Sequence, residues 1–127
     1  MAHAGQELEG PNGYRLRLVS IEDDLLEMEA TYSGEGGFPP EHLHPRQAER
    51  FEVLEGAILA RIDGVEQRHE AGATFDVPVG TPHTMAADGP ARTRWEVRPA
   101  LRTAEFFERL YAGNVDFAEF TDEFRLT

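Results

Sequence analysis

From Tyr14 onward apolar and polar residues alternate: Tyr14, Leu16 and Leu18 stand against Arg15 and Arg17. The alternation returns with Leu26, Met28, Ala30 and Tyr32 against Glu27, Glu29 and Thr31. A period of two marks strands with one face buried and one face wet. Ser33 to Pro40 is a Gly/Pro-rich loop. Arg50 to Leu54 alternates again, and Ala57 to Ile62 is apolar enough for a strand. Asp63-Gly64 then sits between two strand-like runs and predicts a tight hairpin into Val65 to Glu70. Ala73 to Val77, Pro82 to Ala86 and Ala91 to Arg98 read as further short strands, with Gly72, Gly80 and Asp88-Gly89-Pro90 in the turns. Short strands at this spacing predict an all-β antiparallel sandwich, jelly roll or barrel.

After Pro99 the period changes. Ala104, Phe107 and Leu110/Tyr111 recur at helical spacing, with Gly113 as the C-terminal stop. Asn114 is placed to cap a second short helix with Phe117, Phe120 and Phe124 on one side. These aromatics are expected to pack as a lid on the outside of the sheet. Residues 1–13 carry no apolar period and end in the turn signal Pro11-Asn12-Gly13, which suits a mobile arm or an added edge strand. The expected organisation is an arm at 1–13, a barrel at 14–99 and a helical segment at 100–127, packed on the barrel or on a dimer partner.

Length and charge narrow the function. With 127 residues there is room for one domain. Twelve basic residues, all Arg, against 24 acidic ones give a net charge of -12, which disfavours phosphate backbones and anionic lipid surfaces. Neither nucleic acid nor a membrane is expected as a partner. The absence of Lys excludes Schiff-base and P-loop lysine chemistry, and the absence of Cys excludes disulfides, thiolate catalysis and Cys-ligated metal sites. No apolar run is long enough to span a membrane, and the polar start lacks a signal-peptide core, so a cytoplasmic location is expected.

The chemistry concentrates in the histidines. His42 and His44 are two residues apart, which on a strand puts both imidazoles on one face, roughly 7 Å apart along the backbone. Glu49 follows five residues later, and His83 lies just after the tight turn at Pro78-Val79-Gly80. Three neutral imidazoles and a carboxylate suit a divalent transition metal with one or two positions open; manganese, iron, cobalt, nickel, copper and zinc all fit such a donor set. His69, near a strand end, and His3, in the arm, read as surface residues.

The spacing is specific. Residues 36–56 place Gly36, His42, His44, Glu49 and Gly56 at intervals of six, two, five and seven; residues 72–83 place Gly72, Pro78, Gly80 and His83 at six, two and three. This resembles the two motifs of the cupin superfamily, and the stretch from His44 to Gly56 looks like small single-domain bacterial cupins. The resemblance covers roughly residues 30–98 and implies a double-stranded antiparallel barrel. It also implies that His42, His44, Glu49 and His83 bind the metal inside it. One position departs: the residue four after His83, usually Asn, is Ala87.

With Glu49 inward, strand parity sends Phe51 and Val53 inward and Arg50 and Glu52 outward; Met85 shares the side of His83. Thr93, Trp95 and Val97 are expected inward, making Phe51, Val53, Met85 and Trp95 the substrate pocket. The opposite facing would bring Arg94 and Glu96 in as a carboxylate clamp and a base. Gln47 and Arg46, in the loop between ligands, are expected to be solvated, with a supporting contact to the ligands as the alternative. Leu54 and Leu59, facing outward, and the aromatic tail are candidates for a homodimer contact. The reading is a metal-binding protein acting on a small organic molecule, as a dioxygenase-, isomerase- or cyclase-type enzyme with Glu49 as a possible base. The alternative is a non-catalytic module that binds or senses a small molecule or a metal.

Overall fold

The computed structural model describes all 127 residues. Eleven strands and one helix make up the chain. The strands are β1 (Glu7–Glu9), β2 (Arg15–Ile21), β3 (Leu26–Tyr32), β4 (His42–Leu43), β5 (Ala48–Glu55), β6 (Ala57–Ile62), β7 (Val65–Glu70), β8 (Thr74–Val77), β9 (His83–Ala87), β10 (Ala91–Arg98) and β11 (Arg125–Leu126). The helix, α1, spans Thr103–Ala112. The strands form two antiparallel sheets, ordered β1-β2-β3-β10-β5-β8 and β11-β4-β9-β6-β7. This is the jelly-roll barrel that the strand pattern predicts.

Strand parity decides what goes inside. Along β5 Glu49, Phe51 and Val53 are buried and Arg50 is exposed. On β10 Thr93, Trp95 and Val97 are buried, while Arg94 and Glu96 lie on the outer face and pair with neighbouring charges, Arg94 with Glu27 at 3.2 Å and Arg98 with Glu96 at 3.1 Å. The register Glu49↔Val97, Phe51↔Trp95 and Val53↔Thr93 stacks the two buried faces side by side. Phe51 lies between Phe75 at 5.0 Å and Trp95 at 5.3 Å, both stacked on it. The hairpin expected at Asp63-Gly64 joins β6 to β7, with Ile62 opposite Val65. Gly56 turns β5 into β6 at φ +73°, where an added Cβ would stand 2.2 Å from the Pro90 carbonyl oxygen. Only glycine fits there.

The C-terminal segment packs on its own barrel, one of its two expected placements, but not as a lid on the outside of the sheet. The buried Phe106 and Phe107 of α1 join the barrel's own core, and Phe107 meets the inward-facing Trp95 ring edge-on at 5.2 Å. The helix therefore packs against the inner face of the larger sheet. Gly113 ends it in the left-handed conformation, as expected. The second helix is only a 3₁₀ turn over Phe117–Phe120, and its cap is Asp116 rather than Asn114: the Asp116 carboxylate accepts the Ala118 N–H at 3.0 Å. Within the segment read as an arm, Glu7–Glu9 pairs with Arg15–Arg17 and buries Leu8.

Candidate metal centre

The two sequence motifs converge. His42 stands on β4 and His83 opens β9, directly opposite it in the ladder. His44 comes just after β4, and Glu49 begins the inward face of β5. One nitrogen from each of His42, His44 and His83 lies within 4.8 Å of the others. His44, His83 and Glu49 are buried, while His42 is half-buried.

Each imidazole has its second nitrogen occupied by a backbone carbonyl. His42 Nδ1 faces Pro40 O at 3.2 Å, His44 Nδ1 faces Glu123 O at 2.7 Å and His83 Nδ1 faces Thr81 O at 2.8 Å. A carbonyl only accepts, so each Nδ1 carries the proton in a neutral ring and each Nε2 presents a lone pair. Such outer contacts fix ring orientation and tautomer around metals.

The carboxylate is held in the same way. Trp95 Nε1–H donates to Glu49 Oε2 at 2.7 Å. The other oxygen, Oε1, lies 3.1 Å from His44 Nε2 and 2.9 Å from His83 Nε2. Glu49 Oε1 and His44 Nε2 are nevertheless buried without a partner in hydrogen-bonding geometry. Two donors at right angles, each about 2.1 Å from a shared ion, stand about 3 Å apart. The close but misaligned pairs, the orphaned buried atoms and the inward Nε2 set all fit a single transition-metal ion.

A buried carboxylate needs positive charge beside it, which a bound ion or, without one, a proton on His44 Nε2 supplies. Burial alone would raise the Glu49 carboxyl, but the His44 and His83 imidazoles beside it outweigh burial and hold it well below the usual range. Glu49 is therefore ionised. Burial and the neighbouring His83 and His44 lower His42 from 6.5 to about 4, which keeps it neutral near pH 7. At His44 burial works downward, but the Glu49 charge prevails and raises it.

The side chains that parity turns inward do face the core. Phe51, Val53 and Trp95 are buried in the barrel and Met85 is half-buried against the same core. Trp95 has a further role, the hydrogen bond to Glu49. Two expectations are corrected. Gln47 is 1% exposed, not solvated, and its amide nitrogen lies 2.9, 3.0 and 2.7 Å from Pro99 O, Ala100 O and Thr103 Oγ1, sharing its two protons among them. It ties the ligand loop to the start of α1. His69 is not a free surface residue: it is half-buried and stacks on Phe75 at 4.3 Å.

Glu123 and Phe124 were not foreseen at the site. The Glu123 carbonyl holds His44, and the Phe124 ring stacks on His42 with centroids 4.7 Å apart. The helical spacing of the tail aromatics gives no sign of this, because the contact depends on where the tail returns.

Comparison with known proteins agrees with the fold. The family model described as Cupin domain matches residues 28–97, more than half of the chain, and the chain belongs to that family. A search of curated protein sequences gave no match. Among solved structures the chain is similar to KdgF from Halomonas sp., at 22% identity and a TM-score of 0.68 over 74% of this chain and 86% of that one. An RmlC-like cupin from Shewanella frigidimarina matches at 20% identity and a TM-score of 0.70, over 78% and 87%. A variant of Pac13 from Streptomyces, solved with uridine, matches at 16% identity and a TM-score of 0.65, over 80% and 82%. Pac13 is described as a nucleoside dehydratase. At these identities the likeness is one of fold. No helix is long and apolar enough to cross a membrane.

Proposed function

We propose that this member of the cupin family holds one divalent transition metal through His42, His44, His83 and Glu49 and acts with it, as an enzyme, on a small organic molecule. The observation that carries this reading is the set of three Nδ1–carbonyl contacts, which turns three Nε2 lone pairs toward one another beside a buried carboxylate. Three neutral ligands and one anion leave a divalent ion with a net positive charge and room for further ligands. Such an ion supplies Lewis-acid or redox chemistry of the dioxygenase, isomerase or cyclase type.

The chain's own residues set the conditions. Phe51, Val53 and Met85 give the centre an apolar wall, which limits water and strengthens electrostatic contacts inside. The depressed Glu49 carboxyl suits a ligand better than a base, since a general base works best with a pKa near the operating pH. The homodimer and the cytoplasmic location expected from the sequence remain part of the proposal.

One observation favours the second reading, a binding or sensing module without turnover: the Phe124 ring lies over His42. Metal analysis followed by turnover assays on a panel of diketones, catechols and flavonoids separates the two. For the enzyme, the metal-loaded protein turns over a panel member and His83→Ala abolishes that turnover while keeping the fold. Undiminished turnover in His83→Ala contradicts the metal mechanism; a bound metal with ligand binding and no turnover favours the module.

A further inference from the structure

His42 is the least buried of the three imidazoles, and its cover comes from the far end of the chain. The Phe124 ring lies on it at 4.7 Å with planes 22° apart, and meets His44 edge-on at 6.1 Å. The three residues after Phe124 are weakly held. Strand β11 has two exposed residues, sits at the sheet edge and pairs only with Leu43 and His42. Beyond it, the Thr127 N–H reaches Glu41 O at 3.2 Å and the Thr127 hydroxyl reaches the Glu41 carboxylate at 2.6 Å. Exposed backbone pairing of this kind opens at low free energy.

The chain before Phe124 is firmly held. Glu123 is 4% exposed; its carboxylate accepts the Arg102 N–H at 3.0 Å while its carbonyl takes the His44 proton. The Phe124 N–H bonds Phe120 O at 2.9 Å. Anchor and loose end thus meet at Phe124. Beside the ring runs an open groove of about 270 Å³, lined by Phe117, Ala118, Thr121, Arg125 and Leu126 as well as Phe124. Since an apolar cavity of roughly 150 Å³ holds benzene, the groove has room for the phenyl ring, which gives up its stacking on Phe106 at 4.9 Å as well as on His42 when it turns.

We infer that Phe124 is the gate of the imidazole cluster. With the ring stacked, the His42 side is shut; when Arg125–Thr127 releases β4, the ring swings toward Phe117, Ala118 and Thr121, the part of the groove wall that stays in place, and that side opens. Side-chain bulk at position 124 then sets how fast, and how large, a molecule reaches the cluster. What passes the gate rests on the metal reading above; the gate itself does not.

Two readouts on the full chain test it. The first uses metal-free protein and diethyl pyrocarbonate at neutral pH, with carbethoxylation of His42 measured by mass spectrometry against the exposed His3. Phe124→Ala is expected to raise the His42/His3 ratio at least about fivefold, as for a site freed from a local opening step. Phe124→Trp is expected to leave it unchanged or lower it. An unchanged ratio in Phe124→Ala overturns the gate. Should that variant fail to fold, Phe124→Leu carries the same test, with at least about a twofold rise expected and an unchanged ratio overturning the inference. The second readout is cobalt(II) loading and its stripping by EDTA. The gate speeds both in Phe124→Ala by a common factor and leaves affinity alone; rates that stay unchanged, or that change by unequal factors and so shift affinity, contradict it. If the unsubstituted protein takes up no cobalt, the metal reading falls and the His42 labelling still decides the gate.

Discussion

The indole of Trp95 donates its only proton to Glu49 Oε2 at 2.7 Å, across 46 residues of sequence. That bond fixes which carboxylate oxygen faces His44 and His83. Trp95 thereby acts on the centre as a positioning residue while its ring packs between Phe51 and Phe107. Trp95→Phe keeps much of the packing and removes the donor. Loss of such an outer contact lowers metal affinity by about 10- to 100-fold. Competitive titration with a chelator of known affinity checks this, and an affinity within twofold of the unsubstituted protein contradicts the role.

Gln47 predicts a stability effect distinct from the metal. Its amide satisfies two carbonyls and the Thr103 hydroxyl in a region closed to water. Gln47→Ala leaves the Pro99 carbonyl without a partner and Ala100 O with only the Thr103 N–H at 3.2 Å, at a cost of about 1–3 kcal/mol. Urea unfolding of the metal-free protein is the check, with a lowered midpoint and an unchanged slope expected.

Gly56→Ala meets two obstacles at once, a positive φ and the Pro90 carbonyl oxygen at 2.2 Å from the new Cβ. Backbone displacement is required, so a loss of about 2–4 kcal/mol is expected. A melting temperature equal to that of the unsubstituted protein would show that the β5–β6 turn tolerates a side chain.

The three tyrosines give a pH signature away from the centre. Tyr14 packs against Tyr32 at 5.1 Å and Tyr111 at 5.8 Å, and the chain contains no other tyrosine. Burial raises all three, Tyr111 to about 12. In the folded protein they hold protons that an unfolded chain releases near pH 10, so their contribution to stability is complete below pH 10 and declines as pH rises from there toward 12. Absorbance at 295 nm is expected to show little tyrosinate at pH 10.5 in native protein and most of it in urea. Ordinary titration of all three in the native state would refute the burial.

Much of this architecture is legible in local sequence. Alternation puts Glu49, Phe51 and Val53 on one face of a strand because strand parity is a short-range constraint, and the two spacings from Gly36 to Gly56 and Gly72 to His83 carry the resemblance to the cupin motifs that implies the four proposed ligands. The surroundings of the ligands are long-range. The contact between His44 and Glu123 spans 79 residues, and those between Gln47 and the start of α1 span 52 to 56. A glutamine between two ligands reads as solvated until the fold shows what returns to cover it. The tail is a similar case: helical period marks Phe107 and Phe120 for burial somewhere, but only the contact of Phe107 with Trp95 shows that α1 packs into the barrel's own core.

Every step proposed for the centre requires four side chains to share one ion. Anomalous diffraction from crystals of the cobalt(II)-loaded protein addresses this without an intermediary. One site per chain is predicted, with the Nε2 atoms of His42, His44 and His83 and Glu49 Oε1 about 2.0–2.2 Å from the ion. A map with no anomalous peak among these residues, or with cobalt bound only elsewhere on the acidic surface, would contradict it.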